Sequence, residues 1–543
     1  MILIHNAKIY TLLSDQPQAS ALLIERERIR AVGDEGLLAL AGAAERVDLG
    51  GRPLIPGLTD AHLHLEHFAL ALQKVDCETP TLAECLRRVA ERVRLTPPGE
   101  WVLGHGWNHN VWKDVPPSTG GLRQPGYGCA ADLDAIAPDR PVYLTAKSLH
   151  AAWANTAALR RANVTPATAD PPGGRIGRDE SGRPNGILYE AAMELVAQAV
   201  PEPSVEMVAE AIRAAQPALW QMGLTGVHDF DRRRCFAALQ RLNDRGELRL
   251  RVLKSIPLEL LPHAAALGLR TGFGDDFLRI GAVKAFADGA LGPQTAAMLQ
   301  PYEGKSGDDR GMLFIDAEEL FEQGRLAVES GLSLAVHAIG DRANHEMLDG
   351  FERLRQYERN LQHPHFDTHP LRHRIEHVQL LHPADAGRLA QLGVIASMQP
   401  IHATSDMEMA DRYWGRRAAL SYAWQTQLRH GARLAFGSDA PVESPNPFWG
   451  VHAAVTRRRL DGTPAPQGWY PEQRLSVLEA LQAYTLGAAY AACMEDRLGQ
   501  LAPGFLADLL VLDTDPFTCE PDALPAIRPL ATMVGGEWVY RAV

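Results

Sequence analysis

The chain has 543 residues, 46% hydrophobic and 22% charged, proportions of an ordinary globular protein large enough to bury a core without disulfides. Its formal net charge is −12, from 54 Lys and Arg against 66 Asp and Glu, a field that repels phosphate backbones and argues against nucleic acid as a partner. The six cysteines form no Cys-x-x-Cys, Met1–Asp15 lacks the basic start of a leader, and no apolar run could span a bilayer, so a cytoplasmic protein with free thiols and no membrane partner is expected.

Strand patterns open the chain. Met1–Tyr10 alternates apolar and polar residues, Ala21–Ile24 precedes a charged turn, and Ile29–Val32 ends at Gly33-Asp34. The C-terminus repeats the style in Asp508–Leu512 and in Met533–Tyr540, which carries a Gly535-Gly536 turn. The two ends are therefore expected to pair into one small composite β-sandwich domain, residues 1–53 with 495–543.

Between them, residues 54–494 alternate apolar, β-branched runs with helical spacing, the signature of parallel α/β folds. Eight runs stand out: Leu54–His62, Leu224–His228, Leu248–Ile256, Ile280–Phe286, Leu332–His337, Arg374–Leu380, Val394–Gln399 and Arg433–Asp439. Stretches such as Val205–Met222, Ala317–Glu329 and Pro383–Leu392 read as helices. The expected architecture is a (β/α)₈ barrel of the TIM type. The first two runs stand too far apart for an ordinary βα connection, which implies an insertion subdomain over residues 70–205. That stretch holds Trp101, Trp107, Trp112 and Trp153, and the Gly/Pro-rich Pro171–Gly186.

Most of these strands end in a polar residue that packing alone would not select. The first ends Asp60-Ala61-His62-Leu63-His64, and residues i and i+2 of a strand point the same way. The fourth carries Lys284, the fifth His337, the sixth His377 and the eighth Asp439. In a barrel the C-terminal strand ends meet at one mouth, so four imidazoles and a carboxylate, the donors Zn²⁺ takes, converge there. Each alone has an ordinary reading. His337 or His377 could be a hydrogen-bonded core histidine, and Asp439 a helix cap. Lys284, costly to bury charged, could be salt-bridged, neutral, or an amine that has reacted with CO₂. His363, His365, His369 and His373 crowd a Pro-containing segment expected to be a solvated loop, while His105 and His109 could line a pocket in the insertion.

The string from Leu54 to His64, with Lys284-Ala285-Phe286-Ala287-Asp288-Gly289, His337-Ala338-Ile339-Gly340-Asp341, Arg374-Ile375-Glu376-His377 and Gly437-Ser438-Asp439-Ala440-Pro441, resembles the amidohydrolase superfamily. Within it, the chain is similar to the amidohydrolase 3 branch of YtcJ-like proteins and N-substituted formamide deformylases. The resemblance implies one or two Zn²⁺ per chain, the first held by His62, His64 and Asp439, the second by His337 and His377. It also implies a CO₂-derived carbamate on Lys284 as the bridge. The implied reaction is hydrolysis of an amide or N-substituted formamide by metal-activated water, with Asp439 as general base and then acid. A mononuclear deaminase, a cyclic-amide hydrolase or an inactive scaffold are the alternatives. The expected partner is a small-molecule amide, in a chain that could be a homodimer. Residues expected to contact it are His150, Asn155, His228, Asp288, Gln399 and His402, each with an alternative as a hydrogen-bonding support.

Overall fold

The computed structural model describes residues 1–542 apart from 110, 117–122, 124–125, 148–150, 305–308 and 362–370. The chain forms two compact units, one of Met1–Phe68 with Val208–Val543 and one of Ala69–Met207. Among the described residues no helix is long and apolar enough to cross a membrane.

The first unit contains eight strands that pair side by side in chain order, every pair parallel. They are β1 (Leu58–Leu63), β2 (Leu224–Asp229), β3 (Arg251–Pro257), β4 (Leu278–Phe286), β5 (Leu334–Ala338), β6 (Arg374–His377), β7 (Ile395–Met398) and β8 (Leu434–Phe436). Past β8 the Asp439 amide donates to the His62 carbonyl (2.7 Å) and the His64 amide to the Ala440 carbonyl (2.8 Å), joining the last strand to the first at the mouth. Helices fill the connections, among them Val205–Gln221, Ala317–Glu329 and Asp341–Asn360. The start of Ala317–Glu329 is fixed by a capping box, in which Asp316 accepts from the Glu319 amide and Glu319 reaches back. This is the TIM-type barrel.

The chain ends supply two further sheets of the same unit. A four-stranded sheet takes Ile2–His5, Ala21–Glu25, Arg28–Gly33 and Glu45–Asp48. A six-stranded one takes Lys8–Tyr10, Gln18–Ala19, Pro53–Pro56, Leu509–Leu512, Pro529–Val534 and Glu537–Arg541. Ile4, Leu22 and Ile24 of the first pack with Ile9, Leu54, Leu509 and Met533 of the second in one core, a sandwich built from both termini. Asp508 ties it to the barrel by receiving both Nε (2.6 Å) and Nη2 (2.8 Å) of the buried Arg251 at the start of β3.

Four sequence-derived strands are corrected. Met1–Tyr10 is broken at Asn6, where φ is +50°, and its halves join different sheets. Leu54–His62 is likewise two strands, the first in the sandwich and the second in the barrel. Gly57 separates them because a Cβ there would stand 2.3 Å from Thr225 Oγ1. The sixth and eighth runs stop short: β6 ends at His377, whose φ is +74°, and β8 ends before Asp439, whose φ is +62°. Both residues occupy the left-handed region that side chains of their size rarely adopt, which turns them out of the strand line.

The second unit is a six-stranded sheet in the order Gly174–Arg178, Pro184–Glu190, Ala151–Ala154, Val142–Ala146, Val102–Trp107, Val75–Asp76. Trp107, Trp112 and Trp153 pack against one another with ring centres 6.0 to 6.4 Å apart, inside its core. They are structural aromatics of that unit.

Candidate functional site

Alternation along β1 sends His62, and His64 just past its end, into the same space, and each ring is fixed by a carboxylate behind it. His62 Nδ1 lies 2.7 Å from Glu376 Oε2, and His64 Nδ1 lies 3.1 Å from Asp231 Oδ1. A proton held on Nδ1 by these acceptors leaves each Nε2, in the neutral ring, as a lone pair. Both Nε2 atoms turn to one oxygen, Asp439 Oδ1, at 3.5 and 3.3 Å. His377 follows the same rule, with Nδ1 2.7 Å from Gln399 Oε1, whereas His337 donates from Nε2 to the Gly289 carbonyl (2.8 Å), leaving Nδ1. The rings of His62 and His377 have centres 4.8 Å apart, and those of His377 and His337 4.7 Å. One nitrogen each from His62 and His377 and one oxygen of Asp439 all lie within 4.8 Å of one another.

Burial sets the protonation states. It pulls His62 down to about 4 and His337 to about 3, and takes His377 well below its ordinary value, so all three are neutral near pH 7. Burial alone would push Asp439 up, but the His64 hydrogen bond and the neighbouring imidazoles hold its carboxyl far below the usual range. His64 goes the other way: burial lowers it, but hydrogen bonds to Asp231 and Asp439 outweigh burial and raise it to about 9. Lys284, buried on β4, is pulled down to about 8 by desolvation, with Glu376 and Asp439 limiting the fall. Among the described residues its Nζ has no hydrogen-bond partner, and it sits 5.0 and 4.7 Å from the ring centres of Phe230 and Phe286.

This donor set fits a divalent cation. The protein has already fixed the second nitrogen of each of four imidazoles, and it keeps three of the rings neutral and the carboxylate ionised among them; His64 would release its proton to a bound cation. The orphaned Lys284 amine is a buried polar group that the protein itself does not satisfy.

Glu376 and Asp231, which orient the first two histidines, were not singled out by sequence. Glu376 is fully buried, held by the Arg374 guanidinium two residues earlier and driven well below the ordinary carboxylate range despite burial. Arg374 also donates to His228 Nδ1 (2.8 Å) and the Ala61 carbonyl (2.6 Å). Asp231 additionally accepts from His67 Nδ1 and the amide of Glu66, both at 2.6 Å. Opposite charges two residues apart on one buried strand, Arg374 and Glu376, were the available signal.

The six residues expected to touch substrate separate. His150 lies outside the described residues. Asn155 is corrected to a structural role: its oxygen takes the amides of Val142 and Ala158 and its nitrogen donates to the Ala137 and Arg140 carbonyls, all within its own unit. His228 takes the Arg374 guanidinium at Nδ1 (2.8 Å). Asp288 accepts from the amides of Ala297, Ile339 and Gly340, clamping the loops that follow β4 and β5. Gln399 orients His377 and keeps a buried Nε2 without a partner. His402 also has a partnerless Nε2, 3.9 Å from Asp439 Oδ2. Of the histidine-rich loop, 363, 365 and 369 lie outside the described residues. His373 is not solvated but buried, accepting from the Leu334 amide and bonded to Glu358. In the insertion, His105 is exposed and His109 stacks on Tyr127 at 4.0 Å.

The model of the amidohydrolase family matches residues 45–540. The chain belongs to the amidohydrolase family. It is 33% identical to the YtcJ protein of Bacillus subtilis, over 99% of this chain and 98% of that one. It is 30% identical to an N-substituted formamide deformylase of Arthrobacter pascens, over the same shares. A crystal structure of an uncharacterized metal-dependent hydrolase from Pyrococcus furiosus superposes with a TM-score of 0.74 at 29% identity, covering 95% of this chain and all of that one. Membership of that family makes the chain a hydrolase.

Proposed function

We propose that this amidohydrolase cleaves the C–N bond of a small non-peptide amide, an N-substituted formamide or a close analogue, to give a carboxylic acid and an amine. One or two zinc ions would be held by His62, His64, His337, His377 and Asp439, with Lys284, as its carbamate, the further ligand. The observation that carries this reading is the Lys284 amine, buried without a partner beside four imidazoles whose outer nitrogens are already committed. A pKa near 8 leaves part of that amine neutral near pH 7. The neutral form can add to CO₂, making one N–C bond and releasing one proton.

Bound divalent cations supply Lewis acidity and bring the pKa of a water they hold down toward about 7. The chain's own residues do the rest. Asp439, ionised and facing the Nε2 atoms of His62 and His64, accepts the proton from water and returns it to the departing nitrogen. Glu376, Asp231 and Gln399 hold three of the rings so that no rotation is needed as the reaction proceeds. His402 Nε2 and Gln399 Nε2, buried without partners, are the donors available to the substrate. The relative in Arthrobacter pascens, a formamide deformylase by name, supports the choice of bond.

The test is amine release from a panel of N-formyl and N-acetyl amines, with Asp439→Asn as control. Turnover of the formyl series that the substitution abolishes is the expected outcome. Ammonia released from heterocyclic amines, with every amide untouched, would replace this reading by the deaminase one.

A further inference from the structure

We propose that Asp60 and Ser438 are positioning residues that clip the turn carrying Asp439 to the strand carrying His62, and so set the span between that carboxylate and the imidazoles of His62 and His64. This deepens the reading above and rests on it for the bound ion, while the clip itself belongs to the chain. Asp60 lies on β1, two residues before His62, and is buried. Its carboxylate is spent entirely on hydrogen bonds inside the protein. Oδ1 accepts the amides of His62 and of Ser438, each at 3.0 Å, and Oδ2 accepts the Ser438 hydroxyl at 2.5 Å. One side chain thereby holds the backbone of both elements.

The residue types suit the task. A carboxylate can accept at both oxygens from three donors, which the single oxygen of an asparagine cannot. A serine hydroxyl donates and accepts at once, and Ser438 Oγ also takes the Ala440 amide at 3.0 Å, closing the turn on the far side of Asp439. Gly437 leaves room for the approach, since a Cβ there would stand 2.4 Å from the His62 amide nitrogen and 2.6 Å from Asp60 Oδ1.

Asp439 needs such a hold. Its φ of +62° is one that a non-glycine residue keeps only where its surroundings over-determine it. The Asp439 amide bonds the His62 carbonyl and the His64 amide bonds the Ala440 carbonyl. The Asp60–Ser438 bonds add a side-chain clip immediately before Asp439, and the Ser438–Ala440 bond adds one immediately after. Held in this way, Asp439 Oδ1 stands 3.5 and 3.3 Å from Nε2 of His62 and His64. A cation bound there would find three of its donors spaced by groups that never touch it.

The experiment measures Zn²⁺ affinity by chelator competition on wild type, Asp60→Asn, Asp60→Ala and Ser438→Ala, beside the urea midpoint of each metal-free protein. Crystal structures of metal-free wild type and Ser438→Ala are compared in parallel. Asp60→Ala and Ser438→Ala should bind zinc about 10–100-fold more weakly. Asp60→Asn, which keeps an oxygen for the two amides, should lose less. In the Ser438→Ala crystal, Asp439 Oδ1 should leave its place beside the two Nε2 atoms by about 1 Å or more. If Asp60→Ala does not fold, Asp60→Asn and Ser438→Ala carry the test. A lowered urea midpoint with wild-type zinc affinity, or an unmoved Asp439, in Ser438→Ala would make the pair structural only and overturn the proposal. If wild type itself binds no zinc, the metal reading falls and the crystals alone decide the clip: a displaced Asp439 carboxylate keeps it, and an unmoved one removes it.

Discussion

The two sides of the barrel mouth are built on opposite terms. On the side of β1 and β6, and of Asp231 just past β2, the polar groups are satisfied by the protein itself: His62 by Glu376, Glu376 by Arg374, and His64 by Asp231 and Asp439. On the β4 side the Lys284 amine is buried with no acceptor, facing only the rings of Phe230 and Phe286. A buried donor left unmade costs about 1–3 kcal/mol. The first side is therefore preorganised by the chain, and the second is complete only when another group arrives. The contrast separates Glu376, whose loss should harm the fold, from Lys284, whose loss should harm only the chemistry.

The strongest way to break this comparison is at Asp439, where both sides meet. Asp439→Asn should lower kcat by about 10³-fold or more, since it removes the proposed proton acceptor and metal ligand, while circular dichroism stays native. Activity within tenfold of wild type would remove Asp439 from the mechanism. Next is Glu376→Gln, which leaves the buried Arg374 guanidinium without its carboxylate. Breaking one half of a buried pair costs about 3–5 kcal/mol, readable as a lower urea midpoint. An unchanged midpoint would show that the satisfied side is not held by this pair. Asp231→Asn is milder, because the amide oxygen still accepts from His64. The expected loss is about 10–100-fold in metal affinity, measured by chelator competition, with little change in stability. The smallest effect belongs to the other side. Lys284→Met removes an unpartnered amine and keeps the bulk, so thermal stability measured on metal-free protein should be unchanged or raised by about 1 kcal/mol. A clear destabilisation would mean that the amine has a structural partner.

The sequence reading reached the satisfied and unsatisfied sides unequally. The barrel was legible because eight apolar runs recur between helical patterns, and the donors because histidine, aspartate and lysine are poor packing choices at strand ends. What holds those donors was not legible. Glu376 lies 314 residues from His62 along the chain and Asp231 lies 167 from His64, so no local pattern announces either pairing. Asp288 and Asn155 look like site residues by type, but their oxygens are spent on backbone amides that only the folded loops bring near. The break at Gly57 was hidden for a similar reason, since the crowding comes from Thr225 on the neighbouring strand. His377 and Asp439 were found as residues but placed inside strands, because a positive φ in a non-glycine residue leaves no trace in composition.

The account rests on the unsatisfied side being completed by a bridged second ion. The direct test is metal content by plasma mass spectrometry on wild type and Lys284→Ala, both purified without chelator. Near two zinc ions per chain in wild type, falling in the variant, is the predicted result. Near one per chain in both would make Lys284 structural and contradict it.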